Sequence, residues 1–320
     1  MKELKEPKIS IIVPVYNVEK YVEKCLKSLA NQTMQDFEII IVNDGSKDNS
    51  EEIIKNFKEN HPNLQIKYLK KENGGLASAR NYGVKYATGK YISFIDSDDY
   101  VDSNLYKNLE KYMDEDIDLI KFKMQTVEET GKILEKLDGP VFEKCTGEDG
   151  FKRLFAKDNF IDPACIYLYR REFFIKNKFK YRLRYHEDFG LTSLIIVRAN
   201  SFVSTNVFGY NYLQTEESLT RSRDANKDVA RAKDMLKHYD NMLIQIDGYN
   251  IKKETKEMVK KYYTNSVILK VNTLIGEERK EYIKEIRNRK MYKNIKADNI
   301  KQFIKRNILK FDINLYLKLR

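Results

Sequence analysis

Hydrophobic residues in the first third of the chain alternate between two periodicities. Short apolar runs predict buried strands at residues 8–15, 37–42, 65–69 and 91–95. Between these runs, apolar residues recur at helical spacing, which predicts helices at residues 18–30, 50–59 and 74–87. Alternation of strands and helices predicts an α/β fold with a mostly parallel sheet flanked by helices.

The pattern becomes less regular further along the chain. We expect helices at residues 103–113, 147–156, 171–177 and 189–198, and strands at 118–127, 132–137 and 164–169 with a strand pair at 201–212. From residue 227 the periodicity is helical at 227–246, 252–275, 277–287 and 300–311. Alternating apolar residues at 311–319 predict an extended end. We therefore expect one α/β domain over residues 1–222 and a helical, basic region over 223–320.

Polar residues follow three of the predicted strands. They are the segments Pro14-Val15-Tyr16-Asn17, Asn43-Asp44-Gly45-Ser46 and Asp96-Ser97-Asp98-Asp99. Ligands of open α/β sheets bind beyond the carboxyl ends of the strands, and clustered carboxylates suit Mg²⁺ or Mn²⁺. Two other interpretations stay open, an acidic turn that caps the next helix and simple turn chemistry at Asn43–Ser46. The chain has no G-x-G-x-x-G after the first strand and no P-loop, which disfavours dinucleotide and P-loop sites.

Four motifs in this order carry a family resemblance. They are P-V-Y-N at 14–17, V-N-D-G-S at 42–46, E-N-G-G-L-A-S-A-R-N at 72–81 and D-S-D-D at 96–99. Over about residues 8–220 the chain resembles the family-two glycosyltransferases of bacterial cell-surface and capsular polysaccharide synthesis. The resemblance implies a GT-A fold, Rossmann-like, with a nucleotide-binding half at about 8–100 and an acceptor half at about 101–222.

The resemblance also implies roles for individual residues. Asp44 would accept a hydrogen bond from the base, Arg80 would lie near the base or diphosphate, and Asp98 would hold Mn²⁺ or Mg²⁺. The implied nucleotide-binding set is Pro14, Val15, Tyr16, Asn17, Asp44, Asn73, Arg80, Asp96 and Ser97. Without the family, a surface ion pair on a helix explains Arg80 equally well.

The segment His186-Glu187-Asp188 matches the family's Glu-Asp pair. The resemblance assigns Asp188 as the general base, because a sugar hydroxyl must lose its proton as the glycosidic bond forms. Glu187 would orient its neighbours, and His186 would act as base, ligand or structural residue. The alternative is an N-cap with first-turn acids for the helix at 189–198. Ser218 lies in a polar segment, 214–220, that resembles the family's loop over donor and metal.

Composition limits the protein class. The chain has 320 residues, 42% apolar and 33% charged, and no run reaches the ~18 apolar residues of a membrane span. Residues 1–8 are charged and carry no signal-peptide core. Its three cysteines, Cys25, Cys145 and Cys165, are widely spaced, as in reduced cytosolic proteins. We therefore expect a cytoplasmic protein.

The net charge of +11 is concentrated near the end of the chain. Residues 284–320 contain 12 Lys or Arg and three acidic residues, a net charge of +9. Apolar residues on one face of the helix at 300–311 are surrounded by lysines, a pattern that suits an anionic membrane surface. The alternative is a helical subdomain with a solvated basic rim.

The sequence thus predicts an inverting, metal-dependent glycosyltransferase. Its partners would be a nucleotide-sugar donor, UDP-linked, and a glycan or lipid-linked acceptor, with a peripheral position on the inner face of the membrane. A nucleotidyltransferase and a non-catalytic sugar-nucleotide binder are the alternatives. A nucleic-acid-binding module is disfavoured, because the excess charge is confined to the tail and no recognition motif is present.

Overall fold

The chain divides into two compact units, Met1–Ser218 and Leu219–Arg320. The structure, a computed structural model, describes residues 6–156, 163–215, 224–297 and 299–319. In the described residues, the first unit combines a sheet with helices, and the second unit is helical.

The elements of the first unit alternate along most of its length. Its strands are β1 (Ile9–Val15), β2 (Phe37–Asn43), β3 (Gln65–Lys70), β4 (Tyr91–Phe94), β5 (Tyr100–Val101), β6 (Leu119–Val127), β7 (Ile133–Leu137), β8 (Phe142–Cys145), β9 (Tyr167–Arg170) and β10 (Phe202–Leu213). Its helices are α1 (Val22–Ala30), α2 (Ser50–Asn60), α3 (Leu76–Val84), α4 (Leu105–Asp114), α5 (Gly147–Phe155), α6 (Arg171–Lys176) and α7 (Thr192–Arg198). The helices of the second unit are α8 (Ala225–Asp247), α9 (Lys253–Lys270), α10 (Gly276–Asn288), α11 (Ile300–Phe311) and α12 (Ile313–Lys318).

The ten strands in the described part of the first unit join one sheet in the order β3-β2-β1-β4-β9-β6-β10-β5, with β7 beside β6 and β8 beside β10. β3, β2, β1 and β4 are parallel, with Ile12 opposite Ile40 and Ile9 opposite Tyr91. Beyond β4 the sheet is mixed, because β9 runs antiparallel to both β4 and β6. The predicted α/β class is confirmed, and its parallel half is formed by the first four strands.

The parallel half is buried on both faces. Every residue of β1 and β2 is buried, as expected for strands that helices cover on both sides. α1 contributes Val22, Cys25, Leu26 and Leu29 to this core at helical spacing. Since β1, β2 and β4 run in the same direction, the polar segments that follow them lie along one edge of the sheet.

Two predictions about the sheet region are wrong. Residues 202–213 form the single strand β10 and not a strand pair, because irregularities in its pairing near Ser204 and Phe208 bend it without a reversal. One end of β10 pairs with β8 and the other with β5. The segment predicted as a strand at 164–169 begins with a short 3₁₀ helix, Ala164–Ile166, before β9.

Two predictions about helices are also corrected. The end of the chain is helical and not extended, because the Asp312 side chain caps α12 by accepting from the Leu315 amide at 2.9 Å. Ile313 and Tyr316, three residues apart, are its buried side chains. The helix predicted at 189–198 begins only at Thr192.

Gly83 sets how closely α3 approaches the sheet. A Cβ at this position would lie 2.5 Å from Ile12 Cγ2, and Ile12 is fully buried in β1. We expect Gly83→Val to lower the free energy of unfolding by about 1–3 kcal/mol, because the core cannot accept the added atoms without shifts. Chemical denaturation would measure the change.

Gly139→Val is the matched control, because a Cβ at Gly139 would meet only Lys121 Nζ, at 3.7 Å. Shrinking the opposing side chain with Ile12→Ala should recover part of the loss in the Gly83→Val background. Equal stability of the Gly83 and Gly139 variants would contradict the close packing of α3 on β1.

Candidate active site

The segments after β1 and β2 are bonded to each other. The Asp44 amide donates to the Val15 carbonyl at 2.8 Å, and the Asn17 amide donates to Ser46 Oγ at 3.1 Å. Asn17 has a φ of 52° and its Oδ1 accepts from the Lys47 amide at 2.8 Å. Pro14 and Val15 are buried, whereas Tyr16 is 46% exposed. Of the motif at 14–17, Tyr16 thus offers its side chain to a ligand.

Asp44 connects these segments to the loop that leads into α3. Its carboxylate accepts from Lys71 Nζ at 2.5 Å, from the Gly74 amide at 3.1 Å and from the Gly75 amide at 2.7 Å. Gly45 permits this contact, since it has a φ of +79° and a Cβ there would lie 3.0 Å from the Asn73 nitrogen. Asp44 therefore does more than form its own turn: it holds residues 71–75 beside β2, with Asn73 exposed at the rim.

A single guanidinium joins the other acidic segments. Arg80 Nη2 donates to Asp96 Oδ1 at 2.8 Å, and Nη1 donates to Glu187 Oε1 at 3.0 Å and also to Asp188 Oδ1. The Arg80 side chain is 1% exposed. We call Arg80, Asp96, Glu187 and Asp188 the arginine cluster. It unites residues that lie more than 100 positions apart in the chain.

The interpretation of Arg80 as a surface ion pair is wrong. The guanidinium lies 5.8 Å from the Phe94 ring centroid and 5.5 Å from that of Tyr181. The three carboxylates raise the pKa of Arg80 further above its ordinary value, although burial opposes this. In the sequence, the small residues Ala77, Ala79 and Gly83 could have indicated that Arg80 is buried, because they let α3 pack closely on several sides.

Asp188 is placed so that it can receive a proton. One of its carboxylate oxygens contacts Arg80, and the other accepts from the Ala164 amide at 3.0 Å. Its side chain is 20% exposed, against 11% for Glu187. Burial raises the pKa of Asp188, whereas Arg80 favours its charged form. A carboxylate of raised basicity is suited to act as a general base.

Glu187 and His186 directly precede Asp188 in the chain. Burial and the neighbouring Asp188 raise the pKa of Glu187 to about 8, so it holds a proton at neutral pH. His186 is partly buried and has a φ of 55°. The interpretation of these residues as first-turn acids of the following helix is wrong, because α7 begins only at Thr192, whose amide bonds to the backbone carbonyl of Asp188.

The carboxylates after β4 have different environments. Asp99 is 2% exposed and accepts from Tyr210 Oη at 2.5 Å and from the Leu213 amide at 2.8 Å. Asp98 is partly buried, and burial together with Asp96 raises its pKa to about 6. Ser97, which lies between Asp96 and Asp98 in the chain, is buried. The interpretation of this segment as an acidic turn that only caps the next helix is therefore wrong, because α4 begins at Leu105 without a side-chain cap.

Two residues of this region were missed in the sequence. Asp99 is part of the acidic motif at 96–99, so the sequence could have indicated it as a residue that supports the site. Tyr210 had no such signal, because it reaches Asp99 from β10, 111 residues further along the chain. Ser218 lies outside the described residues.

Asp98 offers one carboxylate to a divalent cation. Within the described part of the chain, Arg80 pairs with Asp96, and Asp98 has no ion pair of its own. Carboxylate oxygens are the ligands that Mg²⁺ and Mn²⁺ prefer. No group of three His, Cys, Asp or Glu side chains in the described residues could enclose a metal. A cation at Asp98 would therefore need ligands from water or substrate.

Comparison with known sequences identifies related proteins. The profile of "Glycosyl transferase family 2" matches residues 10–177. The Bacillus subtilis minor teichoic acid biosynthesis protein GgaB is 33% identical over 68% of this chain and 24% of its own length. The B. subtilis uncharacterized glycosyltransferase EpsJ is 38% identical over 57% of this chain and 54% of its own length. The matches thus span between a quarter and about half of these relatives.

Comparison with solved structures shows the same fold. A Staphylococcus aureus TarS fragment (residues 1–349), crystallised with UDP-GlcNAc, has a TM-score of 0.72 and 22% identity and covers 97% of this chain and 89% of its own. The mannosyltransferase PcManGT from Pyrobaculum calidifontis, in complex with GDP-Man and Mn²⁺, has a TM-score of 0.56 and 14% identity and covers 99% and 84%. At these identities the likeness is one of fold, and it confirms the predicted fold class.

The raised pKa of Glu187 makes stability depend on pH. Because the folded state binds this proton more tightly than the unfolded state, the Glu187 contribution to stability is lost as the pH rises from about 4.5 to about 8. We expect Glu187→Gln to flatten the fall in unfolding free energy over this range, measured by denaturant titration at several pH values. Glu52→Gln, at an exposed position of α2, is the control. Parallel curves for wild type and Glu187→Gln would show that Glu187 ionises normally.

Proposed function

The chain belongs to glycosyl transferase family 2, and from this premise we propose that it is an inverting glycosyltransferase. It transfers a sugar from a UDP-sugar to a hydroxyl group of a glycan or lipid-linked acceptor in the synthesis of a bacterial cell-surface polysaccharide. The arginine cluster carries this proposal, because it ties Asp96, on the donor side, to Asp188, the candidate base.

The donor binds along the edge formed by the segments after β1, β2 and β4. Tyr16 provides an exposed ring, and Asn73 lies at the rim of the loop that Asp44 holds. Pro14, Val15 and Asn17 shape the wall of the pocket, and Asp96 and Ser97 border the ribose. The TarS complex with UDP-GlcNAc supports a uridine nucleotide as donor.

Asp188 removes the proton of the acceptor hydroxyl as that oxygen attacks the anomeric carbon. The Ala164 amide and Arg80 fix the orientation of this carboxylate. A proton on Glu187 reduces the number of charged acids beside Arg80 from three to two, Asp96 and Asp188. Attack from the face opposite the leaving diphosphate inverts the anomeric configuration. General base catalysis of this kind contributes typically ~10²–10⁴-fold to the rate.

Asp98 is the residue that holds Mn²⁺ or Mg²⁺. When bound, such a cation neutralises the negative charge that develops on the leaving diphosphate. The partly buried Asp98 carboxylate supplies one hard oxygen ligand. The Mn²⁺ complex of PcManGT supports a divalent ion in this fold.

The helical unit has features that support a membrane position. No helix in the described residues is long and apolar enough to cross a membrane. α11, α12 and the residue after α12 instead carry exposed apolar side chains, which we call the amphipathic face: Ile300, Phe303, Ile304, Phe311, Leu315 and Leu319. These side chains are 43–80% exposed, and Lys301, Lys305 and Lys310 surround them. We propose that the protein binds the inner surface of the cell membrane through this face, where a lipid-linked acceptor would lie.

Replacing the base tests the enzymatic proposal. We expect Asp188→Asn to lower UDP release from a UDP-sugar by about 10²–10⁴-fold, because the amide cannot accept the proton. UDP affinity, measured by calorimetry with Mn²⁺, should stay near the wild-type value. The assay should first screen UDP-sugars by thermal shift, since a ligand that binds the folded state raises the melting temperature.

Asp114→Asn, on the exposed end of α4, is the matched control and should retain wild-type turnover. Full turnover in Asp188→Asn would remove Asp188 as the base. Release of pyrophosphate would identify a nucleotidyltransferase, and binding of UDP without turnover a non-catalytic binder.

Vesicle binding tests the membrane proposal. We expect the protein to co-sediment with vesicles containing anionic phosphatidylglycerol but not with neutral phosphatidylcholine, since each Lys or Arg near an anionic surface adds about 1 kcal/mol. Phe303→Asn with Ile304→Asn should reduce binding at least tenfold without loss of stability, because both side chains are about half exposed. Ile244→Asn, at an exposed position of α8, is the control. Equal binding of both variants would contradict the proposal.

A further inference from the structure

A basic pocket of about 730 Å³ lies beside the loop that Asp44 holds. One wall is the outer surface of α3, with Ala77, Ser78, Asn81, Tyr82 and the following Lys85, and the other wall is the segment 180–184. Five of its lining residues are cationic, namely Lys71, Lys85, Lys180, Arg182 and Arg184. No aspartate or glutamate lines it. We call this site the cationic pocket.

Four of these cations have no ion pair within the residues that the structure describes. Lys71 is paired with Asp44 at 2.5 Å. For the other four, no carboxylate in the described part of the chain lies within ion-pair distance. Lys85 and Arg184 each lie 5.7 Å from a tyrosine ring near them in sequence, Tyr82 and Tyr185. Like charges gathered on one concave surface repel each other, so this arrangement favours an anionic ligand.

The pocket is held open by the fold. Asn81 on α3 bonds to both backbone groups of Tyr181: its Nδ2 donates to the carbonyl at 2.8 Å, and its Oδ1 accepts from the amide at 3.0 Å. Leu183 has a φ of 63°, a conformation that leucine rarely adopts. The backbone of the turn that carries Arg182 and Arg184 is therefore held beside α3, and both exposed side chains line the pocket.

The pocket adjoins both halves of the proposed active site. Asn73, Gly74 and Gly75 line it on the donor side. On the other side, Tyr181 lines it and also contacts Arg80, which holds Asp188. Asp98, the proposed metal ligand, does not line it. A donor diphosphate bound at Asp98 would therefore leave four cations for a second anionic group.

We propose that the cationic pocket binds phosphate groups of the acceptor, either phosphodiesters within the acceptor glycan or the diphosphate of a lipid-linked acceptor. This proposal rests on the proposed glycosyltransferase function and specifies the acceptor chemistry of the same site. Arg182 and Arg184 present planar guanidinium groups, which match phosphate oxygens with paired hydrogen bonds. The growing acceptor would be anchored here while its hydroxyl group reaches Asp188.

Three probes with Mn²⁺ and saturating UDP test this inference. They are a fluorescent oligo(glycerol phosphate), a short prenyl diphosphate and a neutral maltooligosaccharide. We expect Arg182→Gln with Arg184→Gln to weaken binding of a phosphate probe at least tenfold and to reduce its salt dependence, because fewer phosphate contacts remain. The neutral probe should not bind this site. Lys58→Gln with Lys111→Gln, at exposed positions of α2 and α4, is the charge-matched control.

Each outcome decides the proposal. Loss of the oligo(glycerol phosphate) in the pocket variant supports it and identifies phosphate within the glycan, whereas loss of the prenyl diphosphate supports it and identifies the lipid anchor. Equal weakening in pocket and control variants overturns it, because only net charge would then matter. Weakened UDP binding with unchanged phosphate probes also overturns it, since the pocket would belong to the donor. Probe binding is read without turnover, so this proposal and the enzymatic one can fail separately.

Discussion

The buried guanidinium of Arg80 is the interaction on which the candidate site depends. Burying a charge is costly unless it is paired, and removal of one partner of a buried ion pair typically costs about 3–5 kcal/mol. Here one cation faces Asp96, Glu187 and Asp188. The charges do not balance if all three acids are ionised. The raised pKa of Glu187 reduces the excess, because a proton on Glu187 leaves two carboxylates in place of three beside one arginine. Electrostatics therefore assigns different roles to neighbouring acids in the same motif.

The parallel sheet makes this arrangement possible. Polar segments that leave β1, β2 and β4 in the same direction must share one edge, and hydrogen bonds then fix their spacing. Asp44 holds the loop before α3, and Arg80 on α3 holds the acids of the second half. α3 thus connects the two halves of the site. Small residues on α3, Gly83 above all, allow the close approach to β1 that this role requires.

Charge outside the arginine cluster is organised at two other places. The cationic pocket gathers four cations that have no ion pair among the described residues, on one side of α3 in the first unit. The amphipathic face combines apolar side chains with lysines in the second unit. Both arrangements concentrate positive charge, which favours an anionic partner such as a phosphate or a lipid head group. The positions of the charged residues therefore say more about possible partners than the net charge of +11 does.

The sequence by itself determined the class of fold and the family, because strand–helix periodicity and the four ordered motifs are local properties that can be recognised without a structure. It also located Asp96, Asp98 and Asp188 as the acids to consider. Only the tertiary structure decided that Arg80 is buried, that Tyr210 holds Asp99, and that residues 202–213 form one bent strand. Each of these depends on groups more than a hundred residues apart or on pairing with several strands, and periodicity carries no information about such contacts. Alternation at 311–319 misled for a different reason, since the local Asp312 cap and the burial of Ile313 and Tyr316 outweighed it.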